Sequence, residues 1–317
     1  MVFSQELPDS IQNISFQNES FSINGTIRIP KHKTNQKLPA ILIVHGSGAT
    51  DRNGTFVENG FTFQSYLGIA EYFFKKGFVV LTYDKRNFTL LKNNKIDQYY
   101  QTMPEVYIKD AQSAIEYLGN QEVVDPTKII VIGHSEGGSL IPKIISGHTV
   151  KLAICLSPGL LRVDNQIIYQ LNYQIKSFES IPNKNKEIND ALSQLNQVLN
   201  NIKDDINKAN ISKDGNEVLK NLGLSVSYFN HLKTLTENIV DDLKKVEIPL
   251  LIINGDADLK CPAELLKEKE VDLKQNKFVE IVYINNMFHE PYIYDGKSFT
   301  ICNKAMSEIE KWIISKI

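Results

Sequence analysis

The chain has 317 residues, of which 42% are hydrophobic and 23% are charged, and its formal net charge is -2. This length is enough for one large α/β domain with an insertion, or for two modest domains. A nearly neutral chain has no bulk electrostatic attraction to nucleic acid or to anionic membranes, so we expect no nucleic-acid partner.

The N-terminal stretch "MVFSQELPDSIQ" has neither a basic region nor an apolar core, so it does not predict a signal peptide. No apolar run approaches the ~20 residues needed to span a bilayer, and we expect no transmembrane segment. Three widely spaced cysteines, Cys155, Cys261 and Cys302, indicate free thiols in a reducing compartment. These features favour a cytoplasmic protein, with a processed or trimmed secreted form as the alternative, and they leave the oligomeric state open, a homodimer included.

The first part of the chain alternates strand and helix patterns. Residues 14–30 alternate apolar and polar side chains around an Asn-Gly pair, which predicts an antiparallel pair or hairpin. Aliphatic runs at 39–48, 78–86, 128–135 and 151–159 are typical of strands buried on both faces. Helical periodicity appears at 65–77, at 104–120 and after residue 136. This order predicts a mostly parallel sheet flanked by helices.

The alternation stops in the middle of the chain and then resumes. Residues 160–246 contain no convincing strand, and their Ile and Leu spacing predicts three to five helices. Strand patterns return at 248–258 and 277–289, and residues 299–317 predict a closing helix. We therefore predict an α/β core made of residues 1–159 and 247–317, with a helical cap inserted at 160–246.

A G-x-S-x-G sequence, Gly133 to Gly137, lies between a predicted buried strand and a helix. Such a turn strains the central residue, Ser135, and exposes its hydroxyl at the carboxyl end of the sheet. A structural strand-to-helix turn would need the same glycines. The motif alone therefore leaves a catalytic role undecided, because a serine hydroxyl needs a base and an orienting acid.

Candidates for both partners follow the last two predicted strands. Asp256 and Asp258 come just after one strand, and His289 just after the next, so all should reach the edge of the sheet that carries Ser135. The order serine, acid, histidine predicts a catalytic triad. A helix cap for the carboxylate and a satisfied core histidine are the structural alternatives.

An acyl-transfer site also needs backbone amides to hold an oxyanion. We expect one from Glu136, the residue after the serine, and the other from the "HGSG" turn, where Ser47 is the first choice and Gly48 the second. His45 and His134 adjoin glycine or serine at strand ends, and we interpret both as packing or turn support.

With these residues the chain resembles an α/β-hydrolase, and more narrowly the EstD-like carboxylesterases related to prolyl oligopeptidases. The matching segments are "HGSGATDRNGT", "VVLTYDKRN", "VDPTKIIVIGHSEGGSL", "INGDADLKCP" and "MFHEPY". The resemblance implies Ser135 as nucleophile, His289 as base and Asp258, rather than Asp256, as acid. It departs from the family pattern at Asn87, where relatives usually have glycine, and at His45.

The function that follows is hydrolysis of carboxylic esters, with short acyl chains favoured by a capped pocket, and without metal or organic cofactor. The expected partner is a small acyl ester. A thioesterase or a peptidase would use the same triad, and a non-catalytic binding protein is the alternative from another class. The charged residues at 51, 52 and 84–86, which belong to the same resemblance, are interpreted as an ion-pair network that braces the loops above the sheet, and a role in shaping the substrate entrance is the alternative.

Overall fold

The computed structural model describes residues 5–58 and 60–317. The expectation that the N-terminus carries no leader concerns residues 1–4 in part, and those lie outside the described residues. The main sheet has eight strands. In chain order they are β1 Ser10–Asn18, β2 Phe21–Ile29, β3 Leu38–Val44, β4 Val79–Tyr83, β5 Val124–His134, β6 Leu152–Leu156, β7 Leu250–Gly255 and β8 Val279–Ile284.

Across the sheet the strands follow the order β8-β7-β6-β5-β3-β4-β2-β1. The six strands from β8 to β4 are all parallel, whereas β2 runs antiparallel to β1 and to β4. Strands β4, β6 and β7 are buried along their whole length, as expected of aliphatic strands covered on both faces.

The N-terminal hairpin forms as predicted, but its turn is not at the Asn-Gly pair. Asn18 pairs with Phe21, so the turn falls at residues 19 and 20, and Glu19 adopts a φ of 53°. Gly25 instead lies inside β2. A Cβ added there would meet the backbone oxygen of Thr82 at 2.8 Å, so glycine lets β2 approach β4 closely.

Helices cover both faces of the sheet. The helices are α1 Ser65–Lys75, α2 Arg86–Lys92, α3 Ile96–Gln101, α4 Glu105–Gly119, α5 Glu136–Ser139, α6 Ile141–Ile145, α7 Val163–Glu179, α8 Lys186–Ile211, α9 Val226–Leu235, α10 Ile239–Lys244, α11 Ala263–Leu273 and α12 Asn303–Ile314. Helices α1 and α12 pack in the core on one face, and α4, α6, α10 and α11 pack in the core on the other. The sheet therefore separates two apolar layers, which is the predicted α/β architecture.

The segment at 160–246 contains α7 to α10, within the predicted number of helices. It also contains a short antiparallel pair, Val218–Leu219 with Leu224–Ser225, so the expectation that it has no strand was wrong. Strands of two residues are too short to leave an alternating pattern in a sequence. Leu171 and Ile175 of α7 pack with Leu199 and Ile202 of α8 in an apolar cluster of their own. The division into core and cap remains a prediction.

Two further antiparallel pairs lie near the carboxyl end of the sheet: Thr55–Glu58 with Phe61–Gln64, and Tyr292–Tyr294 with Phe299–Ile301. The predicted closing helix therefore begins at Asn303, because the first residues of the predicted range form a strand. None of the helices in the described part of the chain is long and apolar enough to cross a membrane.

The direction of chain progression reverses at β3. The next strand along the chain, β4, pairs with one edge of β3, and β5 pairs with the other. Val44 at the end of β3 lies beside Gly133 near the end of β5. The loops that follow these two strands therefore meet at a topological switch point, where ligand sites form in open α/β sheets.

Candidate active site

Ser135 occupies the strained turn that the sequence predicts between β5 and α5. Its φ is 53° and its ψ is -118°, a backbone conformation that residues other than glycine rarely adopt. The flanking glycines are required by close packing. A Cβ on Gly133 would lie 2.5 Å from the Gly137 backbone oxygen, and one on Gly137 would collide with the His45 backbone oxygen. The turn thus holds the serine side chain at the end of the sheet.

The structure brings the three predicted triad residues together. The Ser135 hydroxyl lies 3.0 Å from His289 Nε2, and His289 Nδ1 lies 2.9 Å from Asp258 Oδ2. Asp258 Oδ1 also accepts the backbone amides of Lys260 at 2.8 Å and Cys261 at 2.7 Å. These amides fix the carboxylate, so the ring is oriented with Nε2 toward the serine.

Asp256, the alternative acid, lies elsewhere. Its Oδ1 accepts the backbone amide of Asn286 at 2.6 Å, so this carboxylate braces the loop after β8. Of these two carboxylates, Asp258 is the one that contacts His289, and its role as the acid stays a prediction.

The protonation of His289 depends on its buried carboxylate neighbour. Burial of the ring opposes a positive charge, but the adjoining Asp258 outweighs it and raises the pKa of His289 above its ordinary value. Asp258 is only 1% exposed, so its charge acts on the imidazole with little screening. A proton taken from Ser135 would therefore be held firmly by this histidine.

The two backbone amides predicted to hold an oxyanion belong to residues that line the cavity containing Ser135. Neither the Ser47 amide nor the Glu136 amide donates a hydrogen bond to any residue that the structure describes. Asn87 steadies the neighbouring turn, since its Nδ2 donates to the Gly48 carbonyl at 2.9 Å. The assignment of Ser47 and Glu136 as oxyanion donors stays a prediction, with Gly48 as the alternative to Ser47.

A chain of buried hydrogen bonds joins this turn to the loop that carries His289. Tyr66 Oη accepts the Gly46 amide at 2.8 Å and lies 3.1 Å from His134 Nδ1. His134 Nε2 lies 3.1 Å from the His289 carbonyl oxygen. That carbonyl can only accept, so Nε2 carries the ring proton and Nδ1 accepts the Tyr66 hydroxyl.

His134 therefore links the Gly46 turn to the loop that carries His289, a more specific role than the turn support predicted for it. Burial lowers the pKa of His134 to about 4, so the ring stays neutral and keeps this tautomer. Tyr66 was missed because its helical pattern marks only a core aromatic residue. A histidine directly before the serine was the one signal available in the sequence.

Ion pairs involving Arg52 and residues 84–86 brace the loops around the site, whereas the Asp51 carboxylate accepts the backbone amides of Asn53 and Thr55. Arg52 binds Asp84 at 2.6 Å, and Arg86 binds Asp110 at 2.6 Å. Lys85 Nζ donates to the Glu136 carboxylate at 3.0 Å and to the Gly46 carbonyl at 2.7 Å.

His45 packs edge-on against Tyr66 and Tyr83, and burial lowers its pKa to about 3. It is therefore a neutral core residue, in agreement with the packing role predicted for it.

The Ser135 cavity has a volume of about 480 Å³. Its walls come from the ends of the sheet strands and from α4, α7 and α9, with Tyr107, Gln166, Gln170 and Tyr228 among them. Cys261 is buried at its edge, and burial raises the pKa of this thiol, so it is a small filler rather than a reactive group.

Within residues 5–58 and 60–317 no group of three or more His, Cys, Asp or Glu could hold a metal ion. A reaction without cofactor remains a prediction.

Comparisons with known proteins agree with this architecture. The sequence profile of the serine aminopeptidase S33 family matches residues 60–294. Esterase EstD of Thermotoga maritima is 27% identical over 318 residues, covering 98% of this chain and 69% of EstD.

Among solved structures, Est1E of Butyrivibrio proteoclasticus superposes with a TM-score of 0.59 at 15% identity, covering 96% of this chain and 98% of Est1E. The esterase Pf2001 of Pyrococcus furiosus gives a TM-score of 0.56 at 15% identity, covering 97% and 90%. The predicted α/β-hydrolase fold and the resemblance to EstD are confirmed, and the chain belongs to the serine aminopeptidase S33 family of α/β-hydrolases.

Proposed function

We propose that this protein is a serine hydrolase that cleaves carboxylic esters with Ser135, His289 and Asp258. The observation that carries the proposal is the continuous pair of contacts from the serine hydroxyl to His289 and from His289 to the buried carboxylate. The name of the relative EstD, an esterase, supports the same class of substrate.

The reaction would begin with attack of the Ser135 oxygen on the acyl carbon while His289 Nε2 takes the hydroxyl proton. The carbonyl oxygen then becomes an oxyanion, held by the amides of Ser47 and Glu136. When the intermediate collapses, the ester C–O bond breaks and His289 returns its proton to the leaving alcohol. Water repeats the same sequence on the acyl-enzyme and releases the acid. Asp258 stabilises the imidazolium in both halves of the reaction.

The description of the family names an aminopeptidase activity. An ester fits the cavity better than the substrate of an aminopeptidase. An aminopeptidase must bind a free α-ammonium group, which requires an available carboxylate near the nucleophile. Among the described residues that line the Ser135 cavity, Glu136 is the sole acidic one, and its carboxylate is paired with Lys85. A neutral substrate avoids the cost of leaving an ammonium group without a counter-charge.

We further propose that residues 160–246 form a cap and that the acyl group is short. Val163, Gln166 and Leu232 lie in the part of the cavity wall that this segment supplies. A long acyl chain would have to displace these residues or leave the cavity. Thioesters pass through the same intermediate, so an acyl thioester is retained as the second substrate class.

Two assays test these proposals. A fluorophosphonate probe, which phosphonylates activated serines, should label the parent enzyme and should not label Ser135→Ala. Failure to label the folded parent enzyme would contradict the proposed triad and favour a binding protein. Among p-nitrophenyl esters, the acetate should be hydrolysed with a higher kcat/KM than the palmitate, and equal values would exclude the short-chain preference.

A further inference from the structure

A second cavity, of about 570 Å³, lies next to the Ser135 cavity and is unusually rich in phenylalanine. Six of the fifteen phenylalanines of the chain line it. They are Phe56, Phe61, Phe63, Phe178, Phe288 and Phe299. We call this cavity the phenylalanine groove. Their number is notable because five of them come from loops and short strands at the mouth of the sheet rather than from its core.

The rings of the groove are already arranged against one another. Phe56 and Phe63 stack with centroids 4.6 Å apart and an interplanar angle of 7°. Phe299 meets Phe61 at 5.3 Å and Phe63 at 5.1 Å, both edge-on. Phe61 nevertheless remains 43% exposed. An apolar wall that is ordered but incompletely covered is a surface that a flat apolar ligand would bury.

The groove continues the Ser135 cavity beneath one face of α7. Gln170 lines the cavity, and Gln174 and Phe178 line the groove. Residues four apart lie on the same face of a helix, about 6 Å along its axis, so these side chains form one continuous row. The Lys260 side chain lies at the junction, where it binds Glu290 at 2.7 Å and lines both spaces.

The two spaces differ in the catalytic groups that they contain. Ser135, Ser47 and Glu136 line only the first, whereas His289 lines both. The acyl carbon must therefore lie in the Ser135 cavity, next to the nucleophile and the proposed oxyanion donors. The leaving oxygen must be within reach of His289, because this residue returns the proton to it. The groove therefore includes His289 but not the nucleophile.

We propose that the phenylalanine groove binds the alcohol portion of the ester, and that this alcohol carries an aromatic ring. The inference rests on the proposed esterase activity and adds the class of leaving group to it. Rings from two separate elements that line the groove, the Phe61 hairpin and the Phe178 helix, would contact an aryl group by their edges and faces. Short acyl esters of arylalkyl alcohols are then the substrates that fill both spaces.

The test compares 2-phenylethyl acetate with ethyl acetate, which share the acyl group and have unactivated alcohols, with acid release followed by pH-stat. We expect kcat/KM for the phenylethyl ester to exceed that for the ethyl ester by at least about tenfold. In Phe61→Ala and in Phe178→Ala, which remove lining rings from two different elements, this ratio should fall toward one. Val57→Ala is the matched control, because Val57 lies in the same hairpin, is 70% exposed and does not line the groove.

The outcomes separate the two proposals. If a fluorophosphonate labels Ser135 but the parent enzyme hydrolyses both acetates with equal kcat/KM, the groove is not an alcohol site and the esterase proposal stands. A preference for the phenylethyl ester that survives both phenylalanine substitutions would place the ring elsewhere and also overturn the inference. If the folded parent is neither labelled nor active on either ester, both proposals fail.

Discussion

The hydrogen-bonded chain from Gly46 through Tyr66 and His134 to the His289 backbone makes a strong prediction for Tyr66→Phe. This substitution keeps the ring and removes one oxygen that serves two buried partners. The Gly46 amide loses its acceptor, which costs about 1–3 kcal/mol for a buried group, and His134 Nδ1 loses its donor at a similar cost. Since the two groups are neighbours, the costs do not simply add, and we expect a loss of about 2–4 kcal/mol in the free energy of unfolding.

Catalysis should fall with stability, because the freed Gly46 turn adjoins the proposed oxyanion donor Ser47. Small displacements of catalytic groups lower the rate of the chemical step strongly. We therefore expect kcat to fall by about ten- to hundredfold, with a smaller change in KM. The free energy of unfolding is measured by urea titration. The hydrolysis of p-nitrophenyl acetate is measured without urea, at a temperature where the variant is folded.

Tyr83→Phe is the matched control. Tyr83 is also buried and also packs edge-on against His45, but its hydroxyl forms no hydrogen bond with the residues that the structure describes. It should unfold at close to the parental free energy and retain the parental kcat. If Tyr66→Phe behaves in the same way as Tyr83→Phe, the hydrogen-bonded chain does not hold the site and the reasoning is refuted.

Two further predictions concern the triad and the turn. Asp258→Asn should lower kcat by about 10⁴, because the wrong imidazole tautomer faces the serine. Hydrolysis requires neutral His289, so the parental kcat/KM should rise with pH through a pKa above 6.5. In Asp258→Asn, which lacks the carboxylate, this rise should move to lower pH. An unmoved pH profile would show that Asp258 does not set the pKa of His289. Gly133→Ala should lower the free energy of unfolding by about 3 kcal/mol or more, because the alanine Cβ would lie 2.5 Å from the Gly137 oxygen. The control Gly119→Ala, at the end of a helix, should leave the free energy of unfolding nearly unchanged in the same urea titration.

The parts of the fold that follow from local pattern could be predicted from sequence. The buried strands were found because aliphatic runs reflect burial on both faces, and the Ser135 turn because close packing admits only glycine around it. The positions of Asp258 and His289 followed from a general rule, that the ends of parallel strands share one edge of a sheet.

What escaped prediction depends on contacts between distant segments. The hairpin turn at Glu19 lacks a strong turn sequence, whereas the Asn-Gly pair lies inside β2, where Gly25 pairs with the distant Tyr83 of β4. The phenylalanine groove is lined both by the Phe61 hairpin and by Phe178 of α7, and no local periodicity joins these distant stretches of the chain. The Tyr66 hydroxyl was likewise indistinguishable from that of any other tyrosine on the buried face of a helix.

Strands β6 and β7 are neighbours in the sheet, yet 93 residues of chain (157–249) separate them. The triad and the amide donors that we assign all belong to stretches outside that excursion, whereas much of the wall that a substrate would touch comes from within it. Evolution can therefore lengthen, shorten or substitute the segment 157–249 while the catalytic residues that we assign keep their geometry. In such an arrangement a new substrate specificity requires no new catalytic mechanism.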